Sequence, residues 1–257
     1  MPESQTPIPA ATIVLYREAG GGPAEHLMIE RTAQMAFAAG ALVFPGGRIE
    51  ADDHAIAQSP ALARHAPEDA EDAAGRVAAI RETIEEVGIA VAVHPAPPPA
   101  AITAWRAALK ARQPFSPLLE AAGCQLDLGA IIPFARWNPK LFAHRVFDTR
   151  FYVAICPAGA EAAHDTDEAA HHVWLTAQAA IEADDAGRHT MIFPTRRNAE
   201  RLALYPRYNA MLAHLAATPV QTITPWLAEM GGAFWLCIPE DAGYPVTRAL
   251  AGEIKNG

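Results

Sequence analysis

The stretch Arg81-Glu82-Thr83-Ile84-Glu85-Glu86-Val87-Gly88 decides how the rest of the chain is interpreted. In a helix, Glu82, Glu85 and Glu86 are spaced i, i+3 and i+4 and share one face, with Cβ atoms roughly 5–6 Å apart. Like charges this close destabilise an isolated helix. A hard divalent cation would offset that cost, because Mg²⁺ binds carboxylate oxygens. From these residues alone, the alternative is a solvated helix face with an Arg81–Glu85 ion pair.

The residues before the acidic stretch predict one long helix over about 69–87. Apolar side chains recur there at intervals of 3, 4 and 3, which is the inward stripe of an amphipathic helix. They are Val77, Ile80, Ile84 and Val87. The three glutamates lie off this stripe, and Gly88 is suited to end the helix in a left-handed conformation.

The composition excludes some function classes. The 257 residues suggest one large domain or a domain with extensions, and the net charge is −9. Nucleic-acid binding needs basic patches to neutralise phosphates. The densest basic cluster is Arg196, Arg197 and Arg201, which is too small for a duplex footprint, so we expect no nucleic-acid partner.

Cysteine usage and hydropathy bear on the compartment. Cys124, Cys156 and Cys237 are widely spaced without a zinc pattern, which indicates free thiols in a reducing environment. The N-terminus shows no signal-peptide pattern, and no apolar run is long enough to span a membrane. We therefore expect a cytoplasmic protein without a membrane partner.

Predicted strands and helices alternate along the chain. Ala10–Tyr16 and His26–Arg31 predict two strands joined as a hairpin, and Ala41–Phe44 predicts a short strand before the Pro45-Gly46-Gly47 turn. An acidic excursion over 50–75 contains a short helix. Further strands are predicted at 89–93, 128–134, 147–156 and 173–175, and further helices at 103–112, 117–122, 177–184 and 198–204.

This order, with Arg-Glu-x-x-Glu-Glu-x-Gly on the main helix, resembles the Nudix hydrolases. Their box reads Gly-x5-Glu-x7-Arg-Glu-U-x-Glu-Glu-x-Gly-U, where U is apolar. Its second half is present here at 81–89, with Thr83 at an apolar position. The resemblance implies an α/β fold, an α/β/α sandwich with a mixed sheet. It implies a Nudix domain over 8–205 with a helical insert at about 100–122, followed by a C-terminal extension over 206–257 packed on the same domain.

The first half of the box departs from the family pattern. Arg81 follows Gly47 by 34 positions (81 − 47 = 34), so about 20 residues are inserted relative to the compact box. Counting back from Arg81, the first box glutamate falls at Ala73. Glu71 or Asp72 would have to substitute for it.

An interrupted box resembles the coenzyme A diphosphatase branch of the family. Residues 27–33, Gly40 and Phe44-Pro45-Gly46-Gly47 follow that branch's signature, and residues 145–151 resemble its Arg-Phe-Asp-Thr-x-Phe strand. One signature arginine is replaced by Phe37. The branch implies coenzyme A or acyl-coenzyme A as substrate.

The resemblance also implies roles for individual residues. Glu82, Glu85 and Glu86 would hold Mg²⁺ or Mn²⁺, and the Gly47 carbonyl would complete the shell. Arg81 would orient the glutamates through a salt bridge. For the general base, Glu82 and Glu168 both remain open.

Residues outside the box are predicted to contact the substrate, a small nucleoside diphosphate derivative. Arg31 would bind phosphate or pair with an acid, and Phe37 stands where the signature has arginine. Arg196 would hold a 3′-phosphate, with an exposed basic patch as the alternative. Rival functions are hydrolysis of ADP-ribose or another dinucleotide, and nucleotide sensing without catalysis. Dimers are common in the family, so a homodimer is compatible with the sequence.

Overall fold

A computed structural model describes residues 6–18, 20–30, 40–139, 146–163 and 171–254. The helices are α1 (Ala51–Gln58), α2 (Ala70–Val87), α3 (Pro99–Lys110), α4 (Ser116–Ala122), α5 (Ala177–Asp185), α6 (Phe193–Leu204) and α7 (Tyr208–Ala217). The strands are β1 (Ile8–Tyr16), β2 (Glu25–Glu30), β3 (Leu42–Val43), β4 (Gly46–Arg48), β5 (Ala63–Arg64), β6 (Val93–His94), β7 (Gln125–Asp127), β8 (Ile132–Trp137), β9 (Phe147–Ile155), β10 (His171–Thr176), β11 (Thr222–Ile223), β12 (Trp226–Met230), β13 (Ala233–Cys237) and β14 (Arg248–Leu250). Short 3-10 turns cover Leu128–Ala130 and Ala251–Glu253.

The main sheet is mixed, with strand order β11-β8-β9-β1-β4. β1 runs parallel to β9 along its whole length and antiparallel to β4 at 10–12. A second, antiparallel sheet has the order β10-β2-β3. Two small sheets, β5-β7-β6 and β12-β13-β14, lie in the insertions and in the C-terminal part.

Alternation along β1 builds two cores on opposite faces of the main sheet. Ile13 and Leu15 pack into one cluster with the inner residues of α2. Val14 and Tyr16 pack into the other, with residues of α5 and α6. Successive strand side chains point to opposite faces, so this one apolar strand is buried on both sides. The result confirms the predicted α/β/α arrangement with a mixed sheet.

The predicted main helix forms as α2, capped by Asp69, whose side chain accepts hydrogen bonds from the backbone N–H groups of Glu71 and Asp72. Its burial is wider than the apolar stripe indicates. Ala73, Ala78 and Ala79 are also in the core, because the helix is covered by the sheet, α1 and α3. Glu82 lies off the stripe but is only 9% exposed.

The predicted hairpin of the first two strands is wrong in its pairing. Among the described residues, the ladder pairing between these two segments is limited to the bridge between Arg17 and Glu25. β2 instead pairs along its length with β10 in the second sheet. The predicted strand at 89–93 is also shorter, with only Val93 and His94 paired, to β7. Part of the predicted strand at 128–134 is a 3-10 turn, and the strand itself begins at Ile132.

The residues after α6 share the second core. Met211, Leu236, Ile238 and Tyr244 belong to the same cluster as Val14 of β1. β11 extends the main sheet by pairing in parallel with β8. In the part of the chain that the structure describes, no helix is both long and apolar enough to cross a membrane.

Candidate active site

The guanidinium of Arg81 is the buried centre of the site. Its Nε and Nη2 donate to the two carboxylate oxygens of Asp53 at 2.9 and 3.0 Å, and Nη2 also donates to the carbonyl of Arg48 at 2.8 Å. Its Nη1 donates to Glu82 Oε1 at 2.7 Å and reaches Glu85 Oε2 at 3.5 Å. Burial alone would lower the pKa of Arg81, but the carboxylates of Asp53 and Glu82 raise it, so the arginine stays charged and holds both side chains.

Asp53 was missed by the sequence analysis, which expected the first box acid at Ala73. Ala73 is in the apolar core. Of the two substitutes, Glu71 is exposed, and Asp72 pairs with Arg76 and accepts a hydrogen bond from Tyr152.

The signal for Asp53 was present in the sequence. Counted forward from Gly47, Asp53 completes Gly-x5-acid (53 − 47 = 6 positions). The extra residues therefore lie between Asp53 and Arg81, rather than before the first acid. The pair forms across this separation because α1 packs directly against α2.

The Gly46-Gly47 backbone lies directly against the glutamates of α2. The Gly46 N–H donates to Glu86 Oε2 at 2.9 Å. A Cβ at Gly47 would lie 2.3 Å from Glu82 Oε1, and one at Gly46 would lie 2.4 Å from the Ala11 carbonyl. Real Cβ atoms do not come this close, so a side chain at Gly46 would clash with backbone, and one at Gly47 would displace the Glu82 carboxylate.

Burial shifts the proton affinities of the carboxylates. It raises the pKa of Glu82 to about 7, with the Arg81 charge opposing the shift and the Glu85 charge adding to it. Burial also raises the pKa of Glu85, and the positive charge of Arg81 again opposes the shift. Glu85 and Glu86 are half-buried. The buried negative charge at Glu82 is thus only partly compensated by protein groups.

The residues present fit a hard cation. Glu82, Glu85 and Glu86 offer carboxylate oxygens, the ligands that Mg²⁺ and Mn²⁺ prefer, and a cation would compensate the charge that Arg81 leaves. The described ranges contain no group of three acidic, histidine or cysteine side chains already converged as a metal site. Glu82 instead points to Arg81, and Glu86 points to the Gly46 N–H.

The remaining predicted site residues are not brought to the glutamates by any described contact. Arg31, Phe37 and Glu168 lie outside the described residues. Arg196 donates to Asp184, Asp185 and Glu200 at 2.7–2.9 Å. It is therefore held by three carboxylates of its own region. The neighbouring Arg197 and Arg201 are buried, which contradicts the alternative of an exposed basic patch.

Comparison with known proteins identifies similar structures. No protein-family model matches the chain. A Nudix hydrolase from Alicyclobacillus acidocaldarius is 27% identical, with a TM-score of 0.65 over 80% of this chain and 96% of that one. A Nudix-family hydrolase from Clostridium perfringens is 14% identical, covering 79% and 100% of the two chains with a TM-score of 0.41. The Nudix domain of Shewanella oneidensis NrtR, solved with ADP ribose, is 11% identical, covering 78% and 88% with a TM-score of 0.40.

Proposed function

We propose that this chain, which is similar over most of its length to a Nudix hydrolase, uses a divalent cation to cleave the diphosphate of a nucleoside diphosphate derivative, and that its substrate is coenzyme A or an acyl-coenzyme A. Water adds to one phosphorus of the diphosphate, and the bridging P–O bond breaks. The products are 4′-phosphopantetheine, or its acyl form, and adenosine 3′,5′-bisphosphate. No electrons are transferred, and the proton lost by water is released to the solvent after passing through a protein base.

One observation carries the proposal of a working site: the Gly46-Gly47 backbone is pressed against the carboxylates of Glu82 and Glu86. A helix face that only meets solvent does not need two consecutive glycines to admit another strand. The contact brings the Gly46 N–H to one of the crowded carboxylates, which supports the proposal of an ion and phosphate site there.

Each box residue has a proposed task. Glu82, Glu85 and Glu86 hold Mg²⁺ or Mn²⁺, and the Gly47 carbonyl adds a further oxygen. When bound, the cation stabilises negative charge on the phosphoryl oxygens, which is the main barrier in this chemistry. Arg81 fixes the Glu82 carboxylate through its 2.7 Å hydrogen bond, so that the site is pre-ordered before substrate arrives.

A carboxylate is proposed as the general base. Glu82 is one candidate, because its carboxylate is held by Arg81 Nη1 at 2.7 Å on the same helix as the other proposed ligands, where it could accept a proton from a water beside the cation. An Oε atom of Glu82 would then take the proton from the attacking water. Glu168 is the alternative base suggested by the family resemblance.

Coenzyme A is favoured by the sequence on both sides of the box. The Phe44-Pro45-Gly46-Gly47 turn and the strand over 147–151 follow the pattern of the coenzyme A diphosphatase branch. The departure at Phe37 favours a second candidate, ADP-ribose or another dinucleotide. The sensor alternative depended on the missing first acid of the box, and Asp53, which binds Arg81, weakens it.

A substrate panel tests the proposal. The protein is assayed with coenzyme A, acetyl-coenzyme A, ADP-ribose and a diadenosine polyphosphate, each with Mg²⁺ and with Mn²⁺, and products are identified by liquid chromatography with mass spectrometry. We expect adenosine 3′,5′-bisphosphate from the two coenzyme A compounds. Turnover of ADP-ribose alone would replace the substrate assignment. If nothing is hydrolysed while one compound raises the melting temperature, the sensor function is correct.

A further inference from the structure

The last turn of α2 has a complete set of hydrogen-bond partners for its backbone carbonyls. The last four carbonyls of an α-helix have no partner within the helix, so their hydrogen bonds must come from elsewhere. The Gly88 N–H bonds to the Ile84 carbonyl, and the Ile89 N–H bonds to that of Thr83. The Ala163 N–H bonds to the Val87 carbonyl. These three bonds do not involve the carbonyls of Glu85 and Glu86, the last two glutamates of the box.

One side chain caps both of the remaining carbonyls. Arg106 Nε donates to the Glu85 carbonyl at 3.1 Å, and its Nη2 donates to the Glu86 carbonyl at 2.8 Å. Arg106 belongs to α3, in the helical insert. The last turn of α2 has no basic residue of its own, so Arg106 also places a positive charge at the negative end of the helix dipole.

The helix that carries Arg106 is firmly seated. Trp105 and Leu109 of α3 are buried in the same core as α2, and Trp105 packs edge-on against Phe115 at 5.8 Å. Arg106 therefore approaches α2 from a fixed base. An arginine on a loose surface helix would lose more conformational freedom by forming the same bonds.

The insert is also tied to α1. Asp52 accepts hydrogen bonds from the backbone N–H of Phe115, and from the N–H and hydroxyl of Ser116, at 2.6–2.9 Å. The next residue, Asp53, binds Arg81. Two consecutive acids of α1 thus connect the insert with the box helix. Arg106 forms a second, direct connection between the same two parts.

We infer that Arg106 is a positioning residue of the metal site: by capping the Glu85 and Glu86 carbonyls, it fixes the backbone that carries two of the proposed ligands. This inference rests on the proposed function. A ligand can bind a cation tightly only if its own backbone is already ordered. Arginine suits the task because its planar fork reaches two acceptors at once, whereas lysine offers a single point charge.

The test compares three variants of the full chain. Arg106→Gln removes the charge and the paired donors, and Arg106→Lys keeps the charge but reaches one carbonyl. Arg76→Gln is the matched control, because Arg76 lies in the N-terminal half of α2 itself and donates to the Leu128 carbonyl at 2.9 Å. Mn²⁺ affinity is measured by electron paramagnetic resonance of the free ion. Amide hydrogen exchange over 84–88 is measured without metal.

We expect Arg106→Gln to bind Mn²⁺ roughly tenfold more weakly, the size of effect typical of residues that orient metal ligands. Its amides over 84–88 exchange faster, and Arg106→Lys is intermediate in both measurements. Arg76→Gln keeps wild-type Mn²⁺ affinity even if it lowers the melting temperature as much as Arg106→Gln does.

Two results would overturn the inference, and they differ in what else they overturn. Wild-type Mn²⁺ affinity in Arg106→Gln rejects the positioning role while the proposed function stands. Absence of Mn²⁺ binding by the wild-type protein rejects the proposed function, and this inference falls with it. Equal loss of affinity in Arg76→Gln would show a general effect of stability, and would also reject the specific role.

Discussion

The backbone N–H of Gly46 donates a hydrogen bond to Glu86 across 40 positions of the chain, and the bond is 2.9 Å long. It joins the first residue of β4 to the last turn of α2. Glu86 is therefore both the last carboxylate of the box and the point at which the glycine turn is attached to the helix.

Glu86→Gln separates these two roles. The glutamine Oε still accepts the Gly46 N–H, so we expect a melting temperature close to that of the wild type. The loss of charge at a proposed metal ligand should lower kcat/KM by roughly three orders of magnitude. The measurement is hydrolysis with saturating Mg²⁺. Glu120→Gln, at an exposed position of α4, should keep wild-type activity, and full activity in Glu86→Gln would reject the metal assignment.

Gly47→Ala should disable the site without unfolding the protein. The new Cβ meets the end of the Glu82 side chain at 2.3 Å, and a flexible side chain can move away. Glu82 is a proposed ligand and base, and a displacement of about 1 Å in such a group costs roughly 10²-fold in rate. Steady-state kinetics and circular dichroism measure the two effects.

Two other glycines serve as references for that variant. At Gly46 the obstacle is the Ala11 backbone, so Gly46→Ala should lower stability as well as activity. Gly22 has open space around it, and Gly22→Ala should change neither. Similar activity in Gly47→Ala and Gly22→Ala would show that the close approach has no role in catalysis.

Asp53→Asn tests the buried ion pair. Asp53 is fully buried and its partner Arg81 nearly so, and removing one charge from such a pair costs about 3–5 kcal/mol of unfolding free energy. Urea denaturation measures it. The control is Glu25→Gln, which breaks the half-exposed pair of Glu25 with Arg17 and should cost at most about 1 kcal/mol. Comparable losses in the two variants would mean that Asp53 is not the anchor of Arg81.

His26 predicts how stability depends on pH. The imidazole is 2% exposed and contacts the Leu15 carbonyl through Nδ1 at 3.1 Å. Burial lowers its pKa from 6.5 to about 4. Between these values the unfolded chain binds a proton that the folded protein does not, so stability falls as pH drops through this window.

The size of this effect can be measured by difference. Between pH 7 and pH 5, His26 should account for a loss of about 2 kcal/mol of unfolding free energy. His26→Gln has no group that titrates at this position. Its loss over the same interval should be smaller by that amount in paired urea titrations. Parallel curves for the two proteins would show that His26 is not buried as described.

The sequence was sufficient for the features that depend on local pattern. The spacing of Val77, Ile80 and Ile84 predicted α2, and the family resemblance predicted the layered α/β fold that the structure confirms. Strand pairing could not be predicted in the same way. The hairpin prediction failed because β2 pairs with β10, whereas β1 pairs with β9 and β4, and these pairings join residues far apart in sequence.

The candidate site was predictable in part. Helix geometry fixes the relative positions of the residues on α2. The position of Asp53 relative to Arg81 depends instead on the path of the inserted residues between them. Counting from Arg81 gave Ala73, and counting from Gly47 gives Asp53; only the packing of α1 on α2 decides between them. Arg106 had no signal at all, because its acceptors are backbone carbonyls, which leave no trace in side-chain spacing.

The pairing register between β1 and β4 determines where Gly46 and Gly47 lie relative to α2. Ala11 pairs with Gly47 and Thr12 with Gly46, while the neighbouring Ile13 and Val14 enter opposite cores. A slip by one residue would move the glycines by about 3.4 Å and exchange every side chain between the two faces. Because such a slip would exchange side chains between two apolar cores, it is energetically unfavourable, and the contact between Gly47 and Glu82 is kept in place. We therefore expect substitutions in β1 that weaken this alternation to lower activity while the protein is still folded.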